Sequence, residues 1–194
     1  MTYGNSPVDK PMCNLRFRGY KDLSELVYSM VTRRAPKFIK TVADGQVLDV
    51  GCGYGSSFID VLKKQLRKPR AFVHLDADSR VFTQSENISQ QQREERDVYW
   101  SDDLKVCADA HELPFRNETF DLVHMNGTLW DTVLNTSGAE KFNRTKIQQE
   151  MHRVLKQGGF YFGDDSIADY SGAEINGFTQ IPIQIACIAL YQKI

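Results

Sequence analysis

The chain has 194 residues, of which 41% are apolar and 25% charged, the balance of a soluble globular protein, and at about 150 residues per domain the length fits one domain. Its 24 Lys and Arg against 25 Asp and Glu leave a net charge of -1, which disfavours bulk binding to nucleic acid or to an anionic membrane. Collagen-like, low-complexity and disulfide-scaffold compositions are excluded.

Cys13, Cys52, Cys107 and Cys187 form no C-x-x-C pair, so neither a zinc site nor a redox motif is supported, and no metal is expected. Cys107 and Cys187 stand in apolar runs, where buried free thiols are common. The polar start, Met1 to Lys10, has no apolar core and does not read as a signal peptide. The most apolar stretch, Ile181 to Tyr191, is too short for a bilayer, which needs about 20 residues. The N-x-[ST] triplets at Asn87, Asn117 and Asn126 are read as chance matches, and the expected location is the cytoplasm.

From Asp22 the spacing of Leu23, Leu26, Val27, Met30 and Val31 predicts a helix toward Arg34, interrupted near Pro36 because proline bars helical geometry in the residue before it. A short helix carrying Phe38 and Ile39 follows, then a turn at Asp44-Gly45. Gln46 to Val50 is a short apolar, β-branched run, the pattern of a strand buried on both faces. It leads into Gly51-Cys52-Gly53-Tyr54-Gly55, after which Phe58, Ile59, Leu62 and Leu66 recur at helical spacing until Pro69. Ala71 to Leu75 is a second strand ending in Asp76. Ser79 to Asp103 reads as a solvent-facing helix and a loop. Leu104 to Ala108 and Phe120 to Met125 are a third and a fourth strand. Ile147, Met151, Val154 and Leu155 form the stripe of a helix that Gly158-Gly159 is expected to close. Phe160 to Phe162 makes a fifth strand. Alternation of this kind specifies an α/β fold, a doubly wound, mostly parallel sheet with helices on both faces. Beyond it, Pro182 limits Thr179 to Ile183 to an edge strand, and Ile185 to Tyr191 is the stronger strand candidate.

In such a sheet, ligands bind beyond the carboxyl ends of the strands, where strand order reverses. Gly51, Gly53 and Gly55 fall at that edge, and without Cβ atoms they allow a tight turn and close approach of a ligand. The spacing is G-x-G-x-G. A pyrophosphate favours the longer G-x-G-x-x-G, so the shorter loop, preceded by Asp49, suits a ligand with an ammonium group and no phosphate. Asp76, at the next strand end, can accept both hydroxyls of a ribose. Taken alone it also reads as a helix N-cap, a role open to Asp78 and Ser79. Asp109, ending the third strand, could accept from an adenine amino group. Acidic strand ends in this order, with the glycine turn, describe a nucleoside pocket.

Val47-Leu48-Asp49-Val50-Gly51-Cys52-Gly53-Tyr54-Gly55 resembles motif I of the class I S-adenosylmethionine-dependent methyltransferases. Asp109 to Phe115 followed by Phe120-Asp121-Leu122-Val123 resembles that family's passage from third to fourth strand. Met151 to Gly159 resembles its signature before the fifth strand, with Gln157 where proline is more usual. The resemblance implies a Rossmann-like methyltransferase fold that binds S-adenosyl-L-methionine and releases S-adenosyl-L-homocysteine. It implies that Asp49, Gly51, Cys52 and Gly53 line the methionine portion. Asp76 would hold the ribose, Ala77 would pack near the adenine, and Asp109 and Ala110 would meet the adenine edge. Asn126 would lie near the sulfonium.

Methyl transfer from a sulfonium needs a general base only if the acceptor arrives protonated. His111, His124 and Asp131 are the candidates, each with a competing structural role: pocket rim, hydrogen-bonded strand core and helix cap respectively. Met125 to Trp130 is not the Asn/Asp-Pro-Pro-aromatic tetrapeptide of enzymes that methylate nucleic-acid amines. The basic run Lys63 to Arg70 sits at a helix C-terminus, where cations also favour the dipole. Trp130, Tyr99, Trp100, Phe17, Tyr20 and Tyr28 could line an acceptor pocket or simply pack. The family's antiparallel strand pair after the fifth strand is expected to be shortened here, leaving an edge that could pair in a homodimer.

The expectation is one domain over 1–194, with an N-terminal helical segment or lid (1–44), a cofactor-binding core (45–165) and a C-terminal edge (166–194). Its activity is methyl transfer to a small-molecule acceptor, with no membrane partner. A non-catalytic nucleoside-binding module or partner subunit is the alternative. An RNA or protein methyltransferase, and a nicotinamide-dependent oxidoreductase, are less favoured.

Overall fold

The computed structural model describes residues 21–53, 57–66, 71–83, 103–125, 143–163, 177–181 and 189–194. Two helices open it, α1 (Lys21–Arg34) and α2 (Pro36–Ala43). Pro36 stands in the first turn of α2, where its missing N–H has no intrahelical partner to lose. There follow β1 (Gln46–Val50), α3 (Ser57–Gln65), β2 (Ala71–Asp76), the single turn α4 (Arg80–Thr83), β3 (Leu104–Cys107) and β4 (Phe120–Met125). Helix α5 (Arg144–Val154) leads into β5 (Leu155–Gly163), and β6 (Phe178–Ile181) and β7 (Ala189–Lys193) complete the order.

The strands form one seven-stranded sheet in the order β3-β2-β1-β4-β5-β7-β6. Neighbours from β3 through β5 are parallel, and β7 is antiparallel to both β5 and β6. This is the doubly wound, mostly parallel sheet that the sequence predicts. Alternation of side chains divides the core in two. On one face Val47, Phe72, Leu122, Phe160, Phe162 and Leu190 pack with α1, α2 and α3 through Val27, Val31, Phe38, Val42, Phe58 and Leu62. On the other, Leu48, Val50, Val73, Leu75, Val123, Met125, Tyr161 and Tyr191 pack with Ile147, Met151 and Val154 of α5. Phe38 meets Phe160 edge-on at 5.3 Å between centroids.

The structure differs from three sequence-based expectations. Helix α5 ends at Val154, and Gly158-Gly159 lie inside β5. Leu155 is already extended (φ -71°, ψ 137°) and pairs with Phe120, and the glycines fall where the ladder shifts register before Leu122 meets Phe160. The C-terminal strand pair is short, four and five residues, with β6 on the edge as expected. The stronger strand is Ala189–Lys193, displaced toward the C-terminus from Ile185 to Tyr191. Cys107 is exposed, because β3 lies at the sheet edge with most of its side chains uncovered. Cys13, Cys187 and the aromatic candidates Phe17, Tyr20, Tyr99, Trp100 and Trp130 lie outside the described residues. Tyr28 is partly buried against the first cluster, and burial raises the pKa of its hydroxyl. Among the described residues, no helix is long and apolar enough to cross a membrane.

Leu122 is fully buried in the central strand β4. Leu122→Ala should cost about 2–5 kcal/mol of unfolding free energy, read from urea denaturation. A loss below about 0.5 kcal/mol would contradict the packing described.

Candidate functional site

Because β1 lies between β2 and β4, the chain leaves β1 toward one side of the sheet and reaches β4 on the other, and strand order reverses there. The carboxyl ends of β1 and β4 therefore border the crevice in which doubly wound sheets bind ligands. Beyond Val50 the backbone turns through Gly51 (φ 64°) and Gly53 (φ 52°), left-handed conformations that glycine adopts without a Cβ penalty.

The turn is tied to the neighbouring strand. Cys52, buried, donates its N–H to the Leu75 carbonyl at 3.1 Å, and Gly53 N–H donates to Asp76 Oδ2 at 2.9 Å. Asp78 N–H donates to Asp76 Oδ1 at 2.9 Å, and Ala108 N–H to the Asp76 carbonyl at 3.1 Å. Asp76 thus joins the ends of β1, β2 and β3. An ionised carboxylate has about four acceptor positions, so these two side-chain contacts leave capacity for the hydroxyls of a ribose.

Beneath the turn lies a buried polar row. Parallel pairing sets Asp49 beside His74 of β2 and beside His124 of β4. Asp49 accepts from His124 Nδ1 at 2.7 Å and from His74 Nδ1 at 3.2 Å. His74 Nε2 is 3.0 Å from Asp103 Oδ2, and Asp103 is ion-paired with Lys63 of α3. His124 stacks on Phe58, their centroids 5.6 Å apart. Burial alone would raise the Asp49 pKa, but the hydrogen bonds and charge of His124, then of His74, outweigh it and hold the carboxyl well below the usual range. For His74, burial opposes the charged form, yet the bonds to Asp103 and Asp49 prevail and its pKa is raised. Asp49 itself is buried, at 2% exposure.

After β3, Asp109 Oδ1 accepts from the backbone N–H of His111 at 2.8 Å and lies 2.6 Å from its Nδ1. His111 Nε2 accepts from Asn143 N–H at 2.9 Å, so the proton belongs on Nδ1, facing Asp109. Both ring nitrogens thus fasten the segment after β3 to the start of α5, where Asn143 caps the helix through Lys146 N–H. Burial would raise the Asp109 pKa, but the His111 bonds lower it. Farther along, Glu150 Oε2 accepts from Leu113 N–H at 2.8 Å. Arg153 donates to the carbonyls of Phe115 and Leu113 at 2.7 and 2.9 Å and pairs with Glu150. The Arg153 bond, opposed by partial burial, lowers the Glu150 pKa.

The structure therefore brings Gly51, Cys52, Gly53, Asp76 and Ala77 together at one rim, with Asp109 and Ala110 following β3 at that same end of the sheet. It puts Asp49 and His124 below that rim. Asn126 and Asp131 lie outside the described residues. Sequence reading missed His74, Asp103, Lys63, Glu150 and Arg153 as parts of the site. A signal existed for the first: Asp49, His74 and His124 are ionisable residues flanked by apolar ones inside three strands.

A family model described as "Methyltransferase domain" matches residues 48–163, more than half of the chain. The sarcosine/dimethylglycine N-methyltransferase of Aphanothece halophytica is 32% identical over 143 residues, 72% of this chain and 44% of that protein. Among solved structures, one provisionally assigned to a sarcosine dimethylglycine methyltransferase of Galdieria sulphuraria aligns at TM-score 0.48 and 17% identity, over 73% of this chain and 46% of that one. An S-adenosylmethionine-dependent methyltransferase of Mesorhizobium loti aligns at TM-score 0.48 and 15% identity, over 75% and 53%. The chain spans about half the length, or less, of these relatives.

An α/β sheet with a glycine turn and a carboxylate at the next strand end defines a nucleoside-binding domain, and the family match makes it more specific. The chain belongs to the methyltransferase-domain family, whose cofactor is S-adenosylmethionine. The left-handed glycines and the spare acceptor capacity of Asp76 fit that group.

Arg153→Met should loosen the segment from Leu113 to Phe115 and cost about 1–3 kcal/mol at neutral pH, because two part-buried carbonyls lose a charged donor. A carboxyl with a lowered folded pKa stabilises above its unfolded value and loses that contribution as pH falls through the folded one. The gap between wild type and Arg153→Met in urea titrations should therefore shrink below about pH 4. A gap that grew on acidification would refute the clamp.

Proposed function

We propose that the chain is an S-adenosylmethionine-dependent methyltransferase acting on a small-molecule acceptor. The observation that carries the reading is the tie between Gly53 N–H and the Asp76 carboxylate, which sets the glycine turn and the ribose-binding acid side by side. Gly51, Cys52 and Gly53 would carry the methionine portion over the buried Asp49. Asp76 would take the ribose hydroxyls, with Ala77, Asp109 and Ala110 around the base and Asn126 near the acceptor. The whole chain would act as one domain, with residues 1–44 as its N-terminal helical segment or lid.

Bound S-adenosylmethionine supplies an electrophilic methyl group on a sulfonium. The protein's part is to hold donor and acceptor in line, and positioning of this kind can supply about 7–11 kcal/mol of barrier reduction. His111, fixed through both ring nitrogens, and His124, buried and bonded to Asp49, are poorly placed as bases. This favours an acceptor that reaches the site with a free lone pair, such as an unprotonated amine. Sarcosine and dimethylglycine, the acceptors in the name of the Aphanothece relative, are the first to screen.

Calorimetry of S-adenosylhomocysteine should give micromolar binding to wild type and at least tenfold weaker binding, about 1.4 kcal/mol, to Asp76→Ala. Methyl transfer to a small amine should fall in parallel. Binding without turnover of any small acceptor would support the binding-module alternative. No binding by folded wild type would refute the proposal.

A further inference from the structure

The polar row under the glycine turn is larger than a buried acid requires. His124 alone would give Asp49 a donor at 2.7 Å. The row nevertheless continues through His74 to Asp103 and Lys63, from the centre of the sheet to its partly exposed margin. Each ring nitrogen of His74 faces a carboxylate oxygen, Asp49 Oδ2 at 3.2 Å and Asp103 Oδ2 at 3.0 Å. A neutral imidazole donates through one nitrogen only, so with Nδ1–H on Asp49 its Nε2 lone pair would face the Asp103 carboxylate at 3.0 Å and accept only the longer contact, 3.4 Å, from Lys63. An imidazolium donates through both. Two carboxylates then face two cations, His74 and Lys63, with His124 completing the row at Asp49. A buried charge is tolerable on that condition, and removing one partner strands another.

We propose that His74, in its charged form, is a positioning residue for the cofactor turn, locking the ends of β1 and β2 so that Gly51, Gly53 and Asp76 keep their relative places. The role rests on the function proposed above. The link is short. Asp49 and His74 are paired in register, Gly51 lies two residues beyond the first and Asp76 two beyond the second, and the Gly53–Asp76 bond closes the loop between them. His74 acts through Asp49 and the strand ends. The groups bearing on its charge are Asp49 of β1, Asp103 before β3, His124 through Asp49, and Lys63, whose ammonium is 3.4 Å from Nε2 and opposes protonation. The same helix also carries buried Asp60.

The net effect of these neighbours raises the pKa of His74. A group of this kind contributes fully below its unfolded value, about 6.5 for imidazole, and its contribution disappears as pH rises through the raised folded value. Cofactor affinity should therefore weaken on the alkaline side of neutrality.

The test is calorimetry of S-adenosylhomocysteine with wild type and His74→Asn, from about pH 6 to about pH 9, beside 1H–15N spectra of the histidine rings in wild type without ligand. Asparagine keeps a donor for Asp49 and cannot be charged. The ligand's own amine titrates identically against both proteins, so the difference between profiles isolates the residue. Wild type should lose about tenfold more affinity across the range than His74→Asn, and the variant should bind more weakly at the acid end. The His74 ring should show both nitrogens protonated at neutral pH. Parallel profiles, or a neutral His74 ring at about pH 6, overturn the proposal, and wild type alone decides if the variant does not fold. Intact binding with the same affinity at every pH overturns this role only. Absence of binding at every pH overturns the methyltransferase reading and this role together.

Discussion

A carboxylate in the middle of a parallel sheet, with helices over both faces, is stable only if its neighbours in the sheet satisfy it. Asp49 meets that condition because parallel pairing brings His74 to one side and His124 to the other. The requirement works in both directions. A slip of one residue in either neighbour would turn its imidazole to the opposite face and take one of the two donors from the buried Asp49, which is destabilising. The ionic row therefore selects the register of β2, β1 and β4, which an all-apolar pairing would specify less sharply.

Register in turn fixes where the strands end. With Asp49 opposite His74, the chain emerges from β1 beside Leu75 and Asp76, and Cys52 and Gly53 find acceptors there. Ala108 joins the same corner from β3. Helix α5 completes the rim from the other face, since Glu150 and Arg153 hold the backbone from Leu113 to Phe115 and His111 connects Asp109 to Asn143. The rim is thus built from backbone groups tied by carboxylates.

Much of this could be read along the chain. The strands β1, β2 and β4 are short apolar runs, and the glycine turn and Asp76 follow them at the spacing of a nucleoside pocket, so both class of fold and rim were accessible from local pattern. The remainder depends on contacts that no local pattern carries. His124 reads equally as base or core residue until register pairs it with Asp49. Glu150 and Arg153 look like an ordinary surface pair at helical spacing, and only the return of the chain after β3 makes them a clamp. Gly158-Gly159 carries the usual helix-stop signal, yet the helix ends earlier because Leu155 pairs with Phe120. The strands β6 and β7 are short and lack a marked turn, and the ladder with β5 defines them.

On the proposed reading, the cofactor nucleoside binds on the turn of Gly51 and Gly53, with Asp76 at its ribose. Mapping backbone amide shifts as S-adenosylhomocysteine is added tests it most directly. Saturable changes should concentrate at Gly51, Cys52, Gly53, Asp76, Ala77, Asp109 and Ala110. Saturable changes confined to another part of the sheet, with these amides unmoved, would contradict it.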